Sequence, residues 1–271
     1  MAAFRGAGRQ ILVVEDDPTN RVVLARQLAI VGIAAEMAVD GEEGLRRWRE
    51  GNYDLVLSDL HMPVRDGFGL VRAIRAEEAG RRRTPVLAFS ADVRVGQAER
   101  VREAGFDAFL TKPLQLDGLR DALTRWCTPG VQDGADVVAA TAAAPGGPDF
   151  DAAALRELVG DEPALLVEIV EYFGTVAADM RAELLAAAAA ADGTAAVELA
   201  HRLKSSARSV GAHPLGALCE ALEAGGGHQP PAVLQDQAAG VVAALDAALA
   251  AMGEWRGRQA APAQWKTWSE Q

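Results

Sequence analysis

Cysteine is scarce: Cys127 and Cys219 are the only two in 271 residues, and they stand far apart. They are read as reduced thiols of a cytoplasmic protein, not as a disulfide. His213 and His228 have no metal-ligand spacing with Cys219, which argues against zinc. Positive charge is also short. Lys and Arg number 27 against 38 Asp and Glu, a net charge of −11, which argues against non-specific nucleic-acid binding. No apolar run approaches about 18 residues, so no membrane insertion is expected. The opening MAAFRGAGRQ is too short and polar for a secretory leader. No Lys and Ser/Thr follow the glycines at 225–227, so they are not a phosphate loop. With no nucleotide-binding motif in view, no ATP-binding kinase domain and no turnover enzyme is expected.

What is present divides the chain in two. In the first half, apolar runs of strand length alternate with helical patterns. Ile11 to Val14, Ile33 to Ala38, Tyr53 to Ser58, Pro85 to Phe89 and Phe106 to Leu110 read as strands; an amphipathic segment follows each. Strands covered on both faces lose the apolar/polar alternation. Five strands alternating with five helices predict an α/β doubly wound five-stranded parallel sheet.

The strand ends carry the chemistry. Glu15 and Asp16 follow the first strand, Asp59 the third, Ser90 the fourth and Lys112 the fifth. All fall at the carboxyl edge, where open α/β sheets bind ligands. Asp59 alone would read as a local backbone cap. Three converging carboxylates repel one another and call for a hard divalent cation such as Mg²⁺. With a lysine and a hydroxyl added, they make a site for phosphoryl transfer.

These residues resemble the receiver domains of two-component response regulators. The resemblance spans residues 9–128 and rests on ILVVEDD at 11–17, LVLSDLHMPVRDG at 55–67, Ser90 followed by Ala91, and FLTKPL at 109–114. It implies the flavodoxin-like fold, with Asp59 as phosphoacceptor. It implies Mg²⁺ held by Glu15, Asp16, Asp59 and the backbone carbonyl of His61. Ser90 and Lys112 would meet the phosphoryl group, Phe109 would be the inward switch aromatic, and a cis peptide would precede Pro113. Asp17 is one residue beyond the metal pair and reads as a helix cap. The side chain of His61 is read as solvent-exposed, and Arg81, Arg82 and Arg83 as a solvated loop.

From residue 129 to 149 the sequence is rich in Ala, Gly and Pro without a core-forming period, and reads as a flexible linker. Strand signals then vanish. Helices are expected at Asp151 to Val159, from Pro163 through the alanine run at 186–191, at Thr194 to Val210, at Pro214 to Ala224 and at Pro231 to Met252. Together, residues 150–252 predict an all-α up-and-down helical bundle. The tail at 253–271, with Trp255, Trp265 and Trp268 among polar residues, reads as frayed.

Within the third of these helices, AHRLKSSARSVGA at 200–212 turns Leu199, Leu203 and Val210 inward. His201 then faces outward, with Lys204 and Ser205 beside it on the surface. An exposed neutral imidazole next to a cation can act as a nucleophile. The segment resembles the histidine phosphotransfer (HPt) domain through His201, Lys204, Ser206, Gly211 and Ala212; Ser205 stands where that family usually has glycine.

The two resemblances together imply a phosphorelay protein. It would accept a phosphoryl group from a sensor or hybrid histidine kinase on Asp59 and relay phosphate through His201 to or from a downstream receiver. An intramolecular receiver–HPt contact is compatible with the linker. The alternative is a receiver switch whose bundle is a non-phosphorylated interaction module. A phosphatase of the haloacid dehalogenase type ranks last, because His61 stands where that family has a second aspartate.

Overall fold

The computed structural model describes residues 8–78, 83–91, 97–127, 137–138 and 147–260. Its first half places β1 (Gln10–Val14), α1 (Pro18–Ile30), β2 (Ala34–Ala38), α2 (Gly41–Glu50), β3 (Leu55–Asp59), α3 (Gly67–Glu77), β4 (Val86–Ser90), α4 (Gln97–Ala104), β5 (Ala108–Thr111) and α5 (Leu116–Cys127) in alternation. All strands are parallel, as the sequence predicts, and they lie in the order β2-β1-β3-β4-β5. A two-residue β6 (Val137–Val138) from the segment expected to be a plain linker adds to the β5 edge. Arg81 and Arg82 lie outside the described residues; Arg83 pairs with Asp107 at 2.8 Å.

The central strands are apolar throughout because both faces are covered. Leu24, Leu28, Leu119 and Leu123 of α1 and α5 pack on Ile11, Val13, Leu57 and Leu87. Leu45, Trp48, Leu70, Ile74 and Val101 of α2, α3 and α4 pack on the other face, against Leu12, Val14 and Val56. Aspartates start three of the helices. Asp17, Asp40 and Asp66 each accept a backbone N–H from the first turn, satisfying donors that have no intrahelical partner. Pro18 sits at the first position of α1, where its missing N–H does no harm.

The second half is helical: α6 (Ala152–Val159), α7 (Pro163–Ala189), α8 (Gly193–Ser209), α9 (His213–Gly225) and α10 (Pro231–Ala260). One core joins them, including Phe173, Met180, Leu203, Cys219, Leu245 and Met252. The alanine run continues α7 as far as Ala189, consistent with alanine's helix propensity, and then ends it, with Ala190 as the cap and Ala191 at φ +55°. By length and composition alone α10 could cross a membrane. In this fold its stripe of Leu234, Ala238, Val241, Leu245 and Ala248 is buried in the bundle.

The expected frayed tail is corrected over its first turns. α10 continues past Met252 to Ala260, and Trp255 is buried edge-on against Phe150, with ring centroids 5.5 Å apart. A large aromatic with a waiting partner extends the helix beyond the last aliphatic residue. Trp265 and Trp268 lie outside the described residues.

One helix belongs to both halves. α1 gives Leu24 and Leu28 to the sheet, while Val23 is part of the bundle core and Val22 packs against it. Between these stripes Thr19, Asn20 and Gln27 are buried polar residues. Gln27 Nε2 donates to the carbonyl of Leu114 at 2.6 Å and to that of Leu158, in α6, at 2.9 Å.

Candidate functional site

The carboxyl edge of the sheet gathers the residues singled out above. β1 ends at Val14, so Glu15 and Asp16 emerge into the cleft; β3 ends at Asp59 and β4 at Ser90. One carboxylate oxygen from each of Glu15, Asp16 and Asp59 lies within 4.8 Å of the others. Arg21 Nη1 donates to the backbone carbonyls of Glu15 and Asp16 at 2.7 and 2.6 Å, holding that turn. Asp59 is fixed from both sides. Its Oδ1 accepts the backbone N–H of Leu60 at 2.6 Å and of His61 at 3.2 Å. Its Oδ2 accepts Lys112 Nζ at 2.5 Å, and the same ammonium reaches Glu15 Oε2 at 2.6 Å. The peptide between Lys112 and Pro113 is cis, as expected.

Gly67 shapes the floor. A Cβ there would lie 2.1 Å from the carbonyl oxygen of Asp59, so only glycine lets the start of α3 close under the β3 end. Ser90 is fully buried at the end of β4, and Phe109 is buried in the core facing α3 and α4.

The electrostatics follow from burial. Glu15 is held above the ordinary carboxylate range: loss of solvent dominates and, with the lesser push of Asp59 and Asp16, outweighs the opposing charge of Lys112. Burial pushes Lys112 down, but Asp59 and Glu15 outweigh it and hold the ammonium above its ordinary value. Asp16 is raised by burial and by Asp59, against the pull of Lys112 and Arg202. One lysine among three carboxylates leaves an excess of negative charge in a desolvated pocket lined with oxygen donors. That set fits a hard divalent cation better than a soft metal.

The second site lies on α8. His201 Nδ1 is 3.0 Å from Glu223 Oε1 of α9, and the other oxygen of Glu223 accepts from Lys204. Burial raises the Glu223 carboxyl, but the nearby His201 ring and the hydrogen bond and charge of Lys204 outweigh it and leave it below its ordinary value. In a neutral imidazole with its proton on Nδ1, Nε2 keeps its lone pair. Gly211 closes the helix at φ +85°, where a Cβ would meet the carbonyl of Asp151 at 2.3 Å.

The expectation that Lys204 and Ser205 flank His201 on the surface is corrected: they are 3% and 5% exposed. Glu223 draws the lysine inward, and helix α1 covers the serine. Asn20 Nδ2 donates to Ser205 Oγ at 2.8 Å. The two sites therefore face each other. The rings of His61 and His201 meet edge-on with centroids 5.1 Å apart. Arg202 Nε reaches to 3.8 Å from Asp16 Oδ2. The His61 side chain is exposed, as expected, yet lies on the partner domain.

Asn20, Arg202 and Glu223 were missed in the sequence. The first two act across the domain boundary, and Glu223 acts across the α8–α9 hairpin. A glutamate 22 residues after a helical histidine carries no signal until the hairpin register is known.

Comparison with known proteins assigns both halves. The model of the response regulator receiver domain matches residues 11–124, and that of the Hpt domain residues 168–255. The virulence sensor protein BvgS of Bordetella pertussis is 34% identical over 217 residues, which cover 75% of this chain and 17% of that protein. The sensor histidine kinase RcsC of Escherichia coli is 39% identical over 114 residues, 42% of this chain and 12% of that protein. The chain thus spans a small part of these curated relatives. Among solved structures, the receiver domain of the sensor histidine kinase PA1611 of Pseudomonas aeruginosa, described with magnesium in its active-site cleft, is 37% identical. It covers 45% of this chain and 98% of its own, at a TM-score of 0.42.

Proposed function

Because the chain consists of a response regulator receiver domain followed by an Hpt domain, we propose that Asp59 and His201 are two phosphoryl stations of one phosphorelay module. The observation that carries this reading is the docking of the domains site to site, His61 on His201 and Arg202 toward Asp16.

In the proposed reaction, a phosphohistidine of a sensor kinase loses its phosphoryl group to the Asp59 carboxylate: a P–N bond breaks and an acyl phosphate O–P bond forms. Lys112, already on Asp59 Oδ2, stays with the charge. Ser90 meets a phosphoryl oxygen, and Phe109 responds from within the core. In the second step the Nε2 lone pair of neutral His201 attacks the same phosphorus. The O–P bond breaks, returning the Asp59 carboxylate, and a new P–N bond forms. Glu223 holds the proton at Nδ1 and balances the charge that grows on the ring. Arg202 lies where it can meet the phosphoryl oxygens in passage.

Mg²⁺ is the proposed cation, with Glu15, Asp16, Asp59 and the carbonyl of His61 to hold it; when bound it supplies charge neutralisation to the phosphoryl oxygens. The proposed setting is the cytoplasm, with a sensor kinase upstream and a further receiver exchanging phosphate with His201.

The test is phosphoryl transfer from a radiolabelled kinase to the full chain. Label is expected on Asp59, and then as acid-labile, base-stable phosphohistidine. Asp59→Asn should abolish both signals and His201→Gln the second. Unchanged labelling in both variants would overturn the proposal; label that never leaves Asp59 would make the bundle an interaction module.

A further inference from the structure

Ser205 stands where glycine is usual in the resembling family, and the structure gives that serine a partner. Asn20, in the first turn of α1, is 2% exposed; Ser205 and Ser209, one turn apart on α8, are 5% exposed each. Asn20 Nδ2 donates to Ser205 Oγ at 2.8 Å and to Glu15 Oε1 at 3.0 Å. Ser209 Oγ lies 2.8 Å from Asn20 Oδ1 and 3.0 Å from the carbonyl of Ser205, between which its proton is shared. The amide thus has both ends engaged, and Glu15 fixes which end faces which serine.

We propose that Asn20, Ser205 and Ser209 form a polar lock that selects this chain's own receiver as the docking partner of its Hpt bundle and keeps His201 from other receivers. The proposal rests on the phosphoryl reading for its consequence but not for its geometry.

The selectivity follows from burial. A buried hydroxyl or amide without a partner carries its full desolvation penalty, whereas a matched pair is nearly neutral. A receiver with an aliphatic residue in place of Asn20 would leave the Ser205 hydroxyl without its donor and the Ser209 hydroxyl with only the Ser205 carbonyl. A bundle with glycine at 205 would leave one amide hydrogen of this receiver unmatched. Such mismatches reject a wrong partner more strongly than apolar contacts do. Gln27 adds a backbone contact to Leu158 that carries no side-chain code, and the apolar and exposed parts of the interface are less discriminating. Val22 and Val23 are apolar against the bundle core, which any receiver with valine or leucine there would satisfy. Arg26 pairs with Glu168 at 2.9 Å in the open, where an ion pair contributes little. The docked α1 also occupies the face of α8 beside His201, so a second receiver using that face must wait until the first has left.

The experiment uses full-length chains and two readouts. Small-angle scattering reports whether the domains are docked. Transfer in trans is followed from a His201→Gln chain labelled on Asp59 to an Asp59→Asn chain that offers only His201. Asn20→Leu in the acceptor is expected to expand the scattering envelope and speed trans transfer by about tenfold, the scale of a lost buried pairing. Ser205→Ala with Ser209→Ala, on the other domain, should do the same, which settles the matter should Asn20→Leu fail to fold. Combining all three changes replaces both sides by apolar groups and should restore compaction and slow trans transfer again. Unchanged scattering and transfer in both single-sided variants would overturn the lock, as would a combined variant no more compact than Asn20→Leu. If scattering responds as expected but no phosphohistidine forms in any chain, the lock stands and the phosphoryl reading falls.

Discussion

Glu223 shows how much one side chain can decide. It touches both His201 and Lys204, so Glu223→Gln should weaken its hold on the ring tautomer and on the ammonium together. Phosphohistidine formation is expected to fall by about ten- to a hundredfold, within the range for support of a reacting group. The rate of Asp59 labelling should not change, and rapid-quench labelling separates the two. The same residue gives a pH signature. Its folded carboxyl titrates below the unfolded value, about 4.3 for glutamate. Its contribution to stability is therefore complete above that pH and lost as pH falls through the lower folded value. Denaturant midpoints of wild type and Glu223→Gln should converge on acidification; a constant gap would show that the carboxylate's charge plays no part. Lys112→Met would leave Glu15 and Asp59 buried without their cation. A loss of about 3–5 kcal/mol is expected in metal-free buffer, less when Mg²⁺ is added, as read by urea unfolding.

Single elements carry their own constraints. The start of α3 can lie under β3 only because residue 67 has no Cβ: the atom would stand 2.1 Å from the Asp59 carbonyl. Gly67→Ala must therefore push the helix or the phosphoacceptor strand aside. A melting temperature several degrees lower and slower Asp59 labelling are expected together; a normal melt with normal labelling would show that the loop yields freely. At the other end of the chain, Trp255 anchors the last turns of α10 against Phe150. Trp255→Ala should cost about 3–5 kcal/mol and raise amide exchange along α10, where a frayed tail would register neither. Helices and strands were largely legible, because apolar runs of strand length, aspartate caps and Pro18 are local signals. The end of α10 was not. A lone tryptophan among polar residues looks incidental until Phe150 is known to wait for it.

Across the whole molecule, α1 is the shared part. Leu24 and Leu28 belong to the sheet's core and Val23 to the bundle's, so neither domain can lose this helix without disturbing the other. Near-coincident unfolding of the two halves is expected by calorimetry in the wild type, with Val23→Ala lowering the common transition. Well-separated transitions in the wild type would count against energetic coupling through α1. The burial of Asn20 and Gln27 belongs to this level too. A helix read as amphipathic has polar residues on a covered face, which makes sense only with a second domain laid over them.

Local pattern alone was enough for the α/β alternation, the helical second half, and the convergence of Glu15, Asp16, Asp59, Ser90 and Lys112 on one sheet edge. In a parallel sheet every strand must end on the same side, so strand order and chain direction suffice. It also placed His201 on the outward side of α8, since helical period fixes which residues share a face. What that outward face meets depends on packing over long sequence separations. The pairing of Glu223 with His201, the inward turn of Lys204, and the contact of Asn20 with Ser205 and Ser209 join residues up to 189 positions apart. Each depends on how finished elements pack: the first two on the α8–α9 hairpin, the last on the laying of α1 over α8.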